Sequence, residues 1–327
     1  MHLVRRWFTI ASLCALAHLG IAAGPAQAED YPTRPVRIIA DSAPGSSIDA
    51  IIRVTTDALS RRWGQQALVI NQPGAGGALA ARSAAAATPD GYTLFIAALS
   101  TFVAAPGAAP NLPIRVPRDF TPVGYFGGAP MFITVAAGLG VKTLPELIAL
   151  AKTRPGELTY GTNGPGRLTH LTGELLQSHA GIKLLMVPYS GGTAQVLNDV
   201  MGGRISLLFD SFSGLAGAVE AGSVRPLAIA ASTRSADFPN LPTAAETLPG
   251  FEAVGWQVLM APAGTPADIV KKVNADLIKA TSEPATSKRL AQLGRDARPM
   301  TPAETLAFIQ SEQQKWAPVV QQIGATR

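Results

Sequence analysis

Val36-Arg37-Ile38-Ile39-Ala40-Asp41-Ser42-Ala43-Pro44-Gly45-Ser46-Ser47-Ile48-Asp49 changes its hydrophobic period partway along. Residues 36–40 form the short apolar run of a strand buried in a sheet, and residues 42–47 read as a turn. Beyond it Ile48, Ile51, Ile52, Thr55, Leu59 and Trp63 recur at intervals of three and four, which marks one face of a helix. Gly64 then stands where a left-handed helix C-cap belongs. Strand, turn and helix together are the repeating unit of an α/β fold.

The unit recurs downstream. Strand 67–70, turn 71–77 and an alanine-rich helix to about 87 precede the turn Thr88-Pro89-Asp90-Gly91 and strand 92–97. Residues 144–152 read as a helix, 158–160 as a strand, 161–166 as a glycine-rich turn and 169–178 as a helix. Strand 184–187 leads through Pro188-Tyr189-Ser190-Gly191-Gly192 to a helix carrying Val196, Leu197, Val200 and Met201. Strands follow at 205–209 and 224–230, and three helices open near Pro266, Pro284 and Pro302, where proline suits the first turn. The expected architecture is two lobes, each a mostly parallel sheet flanked by helices. With no low-complexity linker, the chain should cross between lobes inside strands, near 130–135 and 253–259. That assigns 29–130 and 255–327 to one lobe and 131–254 to the other.

Residues 1–28 read as a targeting segment. Arg5 and Arg6 precede an apolar run over 7–23, and Ala26-Gln27-Ala28 ends it with small residues, so cleavage is expected before Glu29. The alternative, a membrane anchor, is disfavoured by His18, Gly20 and Gly24 within the run and by the lack of a basic stop-transfer cluster. The one cysteine, Cys14, falls in this segment, so the mature chain has no disulfide and no thiolate ligand. Cleavage removes two arginines and no acid, taking the net charge from +5 to about +3 and leaving no Lys/Arg block of the kind that binds nucleic acid.

Three strand-to-helix turns, 44–49, 161–169 and 189–193, are rich in Gly and Ser. Such a turn presents unpaired N–H groups at the positive end of a helix dipole, which suits an anion. In open α/β sheets these turns gather at the carboxyl ends of the strands. Any one of them alone is equally well a tight turn and helix cap; three across two lobes favour a carboxylate or phosphate site. Arg167 could hold a carboxylate through two parallel bonds, or be solvated. Asp49 and Asp210 read first as a cap or loop brace and second as partners for an ammonium group. Enzyme signatures are poor. His170 and His179 lie nine residues apart on one helix, which is not metal-ligand spacing. No Gly-x-Ser-x-Gly elbow or phosphate-binding Gly-Lys-Ser/Thr loop occurs, and Gly74-Ala75-Gly76-Gly77-Ala78-Leu79 has leucine where a dinucleotide fingerprint needs a third small residue. No catalytic residue, metal or cofactor is expected.

The stretches Tyr31-Pro32-Thr33-Arg34-Pro35-Val36-Arg37-Ile38-Ile39, Asn71-Gln72-Pro73-Gly74-Ala75-Gly76-Gly77, Pro89-Asp90-Gly91-Tyr92-Thr93-Leu94, Tyr160-Gly161-Thr162-Asn163-Gly164, Thr169-His170-Leu171, Val187-Pro188-Tyr189-Ser190-Gly191-Gly192 and Ala261-Pro262-Ala263-Gly264-Thr265-Pro266 are specific in this order. Through them the chain resembles the Bug (TctC-like) extracytoplasmic solute receptors of tripartite tricarboxylate transporters. The resemblance implies a monomeric, periplasmic, type II-like two-lobe binding protein. It would close on a small organic carboxylate and serve a transporter's membrane subunits. The implied ligand residues are Pro44, Gly45, Ser46, Ser47, Asp49, Ser100 and Thr101 in the first lobe. In the second they are Thr162, Asn163, Gly164, Gly166, Arg167, His170, Tyr189, Ser190 and Asp210.

The chain departs from that family's pattern in three ways. Ala43 and Ser46 flank Pro44-Gly45 where Pro-Pro-Gly-Gly is usual, Arg167 replaces a small hydroxyl residue, and Ser190 replaces a frequent lysine. These changes point to an altered cargo, with Arg167 expected to grip a second acidic group. Phe102 and Trp256 read as core, with a place beside an apolar ligand body as the alternative. Two other functions stay open: a sensor feeding a membrane signalling partner, and a periplasmic hydrolase or lyase using Asp49, His170 or Ser46.

Overall fold

The computed structural model describes residues 31–103, 115–189, 192–295 and 298–325; residues 1–28, read from the sequence as a targeting segment, with Cys14, and Ser190 lie outside the described residues. The decisive stretch folds as β1 (Val36–Ala40), whose Val36, Ile38, Ile39 and Ala40 are buried, followed by α1 (Ser47–Trp63). The Ser46 hydroxyl caps α1 by accepting the Asp49 N–H at 3.2 Å, and Gly64 ends it with φ 63°. The units β2 (Ala67–Asn71), α2 (Ala78–Ala85), β3 (Thr93–Ala98), a short α3 (Leu99–Val103) and β4 (Phe120–Pro130) complete this side of the molecule.

The chain then passes through one residue, Met131, into β5 (Phe132–Ala136) and α4 (Leu144–Thr153). Next come β6 (Thr159–Thr162), α5 (Leu168–Ala180), β7 (Leu185–Pro188), α6 (Thr193–Met201), β8 (Leu207–Asp210), α7 (Phe212–Glu220) and β9 (Val224–Ile229). It ends with β10 (Val254–Pro262), α8 (Ala267–Ser282), α9 (Pro284–Gln292) and α10 (Pro302–Ala325).

Two five-stranded sheets result, ordered β2-β1-β3-β10-β4 and β7-β6-β8-β5-β9. Each is mixed. In the first, β10 runs antiparallel to both of its neighbours; in the second, β5 does. The other four strands of each sheet share one direction, so the mostly parallel sheet expected from the sequence carries one reversed strand. Both reversed strands are the ones by which the chain enters that sheet from the other. The crossings are tied together by backbone hydrogen bonds: Met131 N–H to the Ala253 carbonyl (2.9 Å), Ala253 N–H to that of Ala230 (3.0 Å) and Ala230 N–H to that of Met131 (2.7 Å).

Apolar packing is continuous across this junction. One buried cluster includes Phe95, Phe102 and Trp256 together with Ile133, Tyr160 and Phe209. Helix α10 packs against β4 and α3 on one side and against α5 on the other, and its Glu312 accepts both the Trp256 and Trp316 indole N–H groups, at 2.8 and 3.3 Å.

Helices α1 and α8 are pinned by Asp276, which accepts hydrogen bonds from Arg62 (3.0 Å), Trp63 (3.0 Å) and Lys272 (2.8 Å). Burial opposes its ionisation, but the bonds from Lys272, Trp63 and Arg62 prevail and hold the carboxyl below the ordinary aspartate value of 3.8. A lowered folded-state value gives a stabilisation that is complete above pH 3.8 and lost as pH falls through the lower value. Asp276→Asn should therefore cost about 1–2 kcal/mol at neutral pH. Urea unfolding at a series of pH values should show the gap to the native chain narrowing below that range.

Candidate functional site

Four strands, β1, β6, β7 and β8, run straight into helices α1, α5, α6 and α7. The starts of all four helices line one cavity of about 830 Å³ between the two sheets. Ser46 and Ile48 reach it from α1, Arg167 to Thr169 from α5, Gly192 and Thr193 from α6, and Ser211 from α7. The first-turn N–H groups of a helix have no acceptor within it, and the helix dipole makes that end positive. Four such ends converging on one space make a site for an anion.

The first loop is held by Asp49. Its carboxylate is buried and accepts the Gly45 N–H (2.9 Å), Arg53 Nε (2.9 Å) and Asn71 Nδ2 (2.9 Å). Burial opposes ionisation here too, yet the bonds from Arg53, Gly45 and Asn71 hold the carboxyl below its usual range. Asp49 thus ties the turn to α1 and to the end of β2 and does not line the cavity. Gly45 has φ 75°, a backbone shape that glycine adopts without strain.

The second loop is braced in the same manner. His170 Nδ1 accepts the Gly166 N–H at 3.0 Å, which leaves the proton on Nε2, 3.6 Å from Glu174 Oε1. The Thr169 hydroxyl accepts the Asn163 N–H (3.1 Å) and lies 2.8 Å from that of Thr162. Asn163 Nδ2 donates to the Thr193 hydroxyl at 3.1 Å, joining this loop to the start of α6. Tyr189 on the cavity wall donates its hydroxyl to Asp199 at 2.5 Å. At the end of β8, burial pushes the Asp210 carboxyl upward, and hydrogen bonds from Thr193 and Ser211 offset this only in part.

Arg167 spans the cavity. From the start of α5 its guanidinium reaches the first sheet, donating to the Asp41 carbonyl (3.0 Å) and the Ser100 hydroxyl (3.3 Å), with Nη1 3.9 Å from the Asp41 carboxylate. Asp41 is itself buried at the end of β1, where it accepts the Thr101 hydroxyl and, at 3.4 Å, the Ala98 N–H. Arg167→Ala removes both direct bonds, worth about 1–2 kcal/mol or roughly five- to thirtyfold in any equilibrium between joined and separated walls. X-ray scattering of the ligand-free protein should show a larger radius of gyration for the variant.

Of the residues expected at the site, Ser46, Ser100, Asn163, Gly164, Arg167, Tyr189 and Asp210 line the cavity. Asp49, Thr101, Thr162, Gly166 and His170 do not reach it; Asp49, Thr162 and His170 brace the loops, while Thr101 bonds to Asp41. Pro44 and Gly45 are exposed at the tip of the first turn, and Ser47 is the first residue of α1. Sequence reasoning missed Asp41, as well as Pro73 and Gly74 on the wall. It also missed Ser211, although a hydroxyl at a helix start was a usable signal, and placed Thr193 only at the end of the third turn without naming it as a ligand residue. Phe102 is core; Trp256 is both core and cavity floor. Among the described residues no group of three or more His, Cys, Asp or Glu is arranged to hold a metal ion.

Comparison with known proteins matches residues 51–325 to the family described as "Tripartite tricarboxylate transporter family receptor". Protein BugT of Bordetella pertussis is 36% identical over 312 residues, 95% of each chain. Among solved structures, Rpa4515 of R. palustris with adipate has a TM-score of 0.84 and 30% identity, covering 90% of this chain and 98% of its own. MatC from Rhodopseudomonas palustris with bound malate has a TM-score of 0.81 and 33% identity, covering 89% and 100%. A fold of two helix-flanked sheets with helix starts facing a shared cavity agrees with these matches along nearly the whole chain, and the chain belongs to the TctC, or Bug, family of periplasmic solute-binding receptors rather than to any enzyme family.

Proposed function

We propose that this receptor captures a small organic carboxylate in the cavity between its sheets and presents it to the membrane subunits of a tripartite tricarboxylate-type transporter. The observation that carries this reading is the convergence of four helix N-termini on one cavity. The adipate and malate bound by its relatives support the same class of cargo. Export follows from the segment 1–28, cleaved before Glu29, and the mature chain acts as a monomer. Its lobes, 29–130 with 255–327 and 131–254, turn about the hydrogen-bonded junction of Met131, Ala230 and Ala253. Ligand bound to turns of both lobes favours the closed form through contacts that only closure makes, and the membrane partner reads that form.

The test is calorimetric titration of ligand-free mature protein with carboxylates, followed by mass analysis of the released ligand. Saturation at one acid per chain, recovered unchanged, is the expected result. A chemically altered acid would point to catalysis, and the absence of saturable binding would reject the receptor reading.

A further inference from the structure

We infer that the cargo is a monocarboxylate with an apolar body, an aromatic or extended aliphatic acid, rather than a small dicarboxylate. This rests on the receptor reading above and narrows it through the charge and shape of the cavity. Among the described residues, two charged side chains line it, Arg167 and Asp210. The Arg167 guanidinium is engaged by the Asp41 carbonyl and the Ser100 hydroxyl, and the Asp41 carboxylate stands 3.9 Å away as its countercharge. Asp210, whether neutral or ionised, offers no positive charge. Attraction for an anion therefore falls to the helix N-termini, which together suit one carboxylate. A second carboxylate further along the cavity would be desolvated without a cation to meet it, a costly arrangement.

The remaining wall joins uncharged polar groups, among them Asn163, Tyr189, Thr193 and Gln257, to a larger apolar part. Met131, Leu168 and Gly255 adjoin: a Cβ on Gly255 would stand 3.0 Å from Leu168 Cδ2 and 3.3 Å from Met131 Cε. Trp256 follows Gly255 in β10, and Ile51 and Leu99 extend the same lining. The volume of about 830 Å³ lies in the upper part of the range for pockets that enclose drug-sized ligands. A four-carbon diacid would leave most of this surface in contact with water. A phenyl or alkyl body would cover it, and burial of apolar area favours that occupant.

The experiment is calorimetric titration of refolded, ligand-free protein with benzoate, 4-phenylbutyrate and octanoate on one side and malate and adipate on the other. At least one apolar-bodied acid should bind tenfold or more tightly than either diacid, with a negative heat-capacity change. Gly255→Val, which pushes into Leu168 and Met131, should weaken that acid at least tenfold; Leu168→Gln serves the same purpose if the first variant fails to fold. Tighter binding of malate or adipate would overturn this inference and leave the carboxylate receptor standing. Unchanged affinity in a folded variant would also overturn it. Binding of none of the acids would remove both this inference and the reading beneath it.

Discussion

Trp256→Ala is expected to lower the free energy of unfolding by about 4 kcal/mol, within the range for deleting a large buried aromatic. Trp256 is 1% exposed, and its ring stacks on Phe102 with centroids 6.0 Å apart and meets Phe308 edge-on at 5.1 Å. Its indole N–H donates to Glu312, the acid that also accepts from Trp316. Truncation therefore opens a void beside the junction between the sheets and strips one donor from a buried carboxylate. Trp256→Phe keeps most of the ring packing and loses the N–H, so about 1–2 kcal/mol is expected from it. Chemical denaturation of the two variants measures both figures. Equal losses would mean that the hydrogen bond, and not the packing, dominates.

The second large effect belongs to Asp49→Ala, at about 2–3 kcal/mol. The change leaves the Gly45 N–H without its acceptor and takes one of two from the Asn71 amide, which keeps the Ser42 carbonyl, while half-exposed Arg53 recovers partners from water. Because Asp49 holds the first turn from behind, affinity for cargo should fall at least tenfold although Asp49 never touches the cavity. Asp49→Asn should recover little, since its amide sets a donor against donors. The pH behaviour has a definite sign. The folded-state value lies below the ordinary 3.8, so the brace is complete above pH 3.8 and is lost as pH falls through the lower value. Titration of wild type and Asp49→Ala across that range should show their stabilities converging in acid.

The parts of the fold that announced themselves in sequence are those whose local chemistry and tertiary role agree. Residues 36–64 are one example: the apolar run, the turn, the helical face and Gly64 all point to one structure. The helices opening at Pro266, Pro284 and Pro302 are another. By contrast β4 carries Pro122, Gly124, Gly127 and Gly128, a composition that reads as loop. Its glycines are required by neighbours distant in sequence: a Cβ on Gly124 would meet Asn274 and Leu277 at 2.9 and 3.1 Å. Helix α7 was missed because Gly214 and Gly217 dilute its period, and Gly214 is small because the Asp210 carboxylate lies against it, 2.5 Å from where a Cβ would be.

The site divides along the same line. The turns that present N–H groups were legible from Gly and Ser beside a strand end. The partnership of Arg167 with Asp41 was not, because 126 positions separate the two and nothing near either signals the other. The short helix α3, which carries Ser100 to the wall and Thr101 to Asp41, has too few residues to show a period.

The central claim, that converging helix starts form a carboxylate site, is tested most directly by thermal unfolding of the mature protein refolded free of ligand. It would be melted alone, with aliphatic, amino-acid and aromatic carboxylates, and with the uncharged amides of the same acids. A ligand that binds only the folded state, at a hundred times its dissociation constant, adds about 2.7 kcal/mol. At least one acid class should raise the melting temperature accordingly, while its amides should not. No shift with any acid, or an equal shift with the amides, would contradict the claim that the cavity recognises a carboxylate.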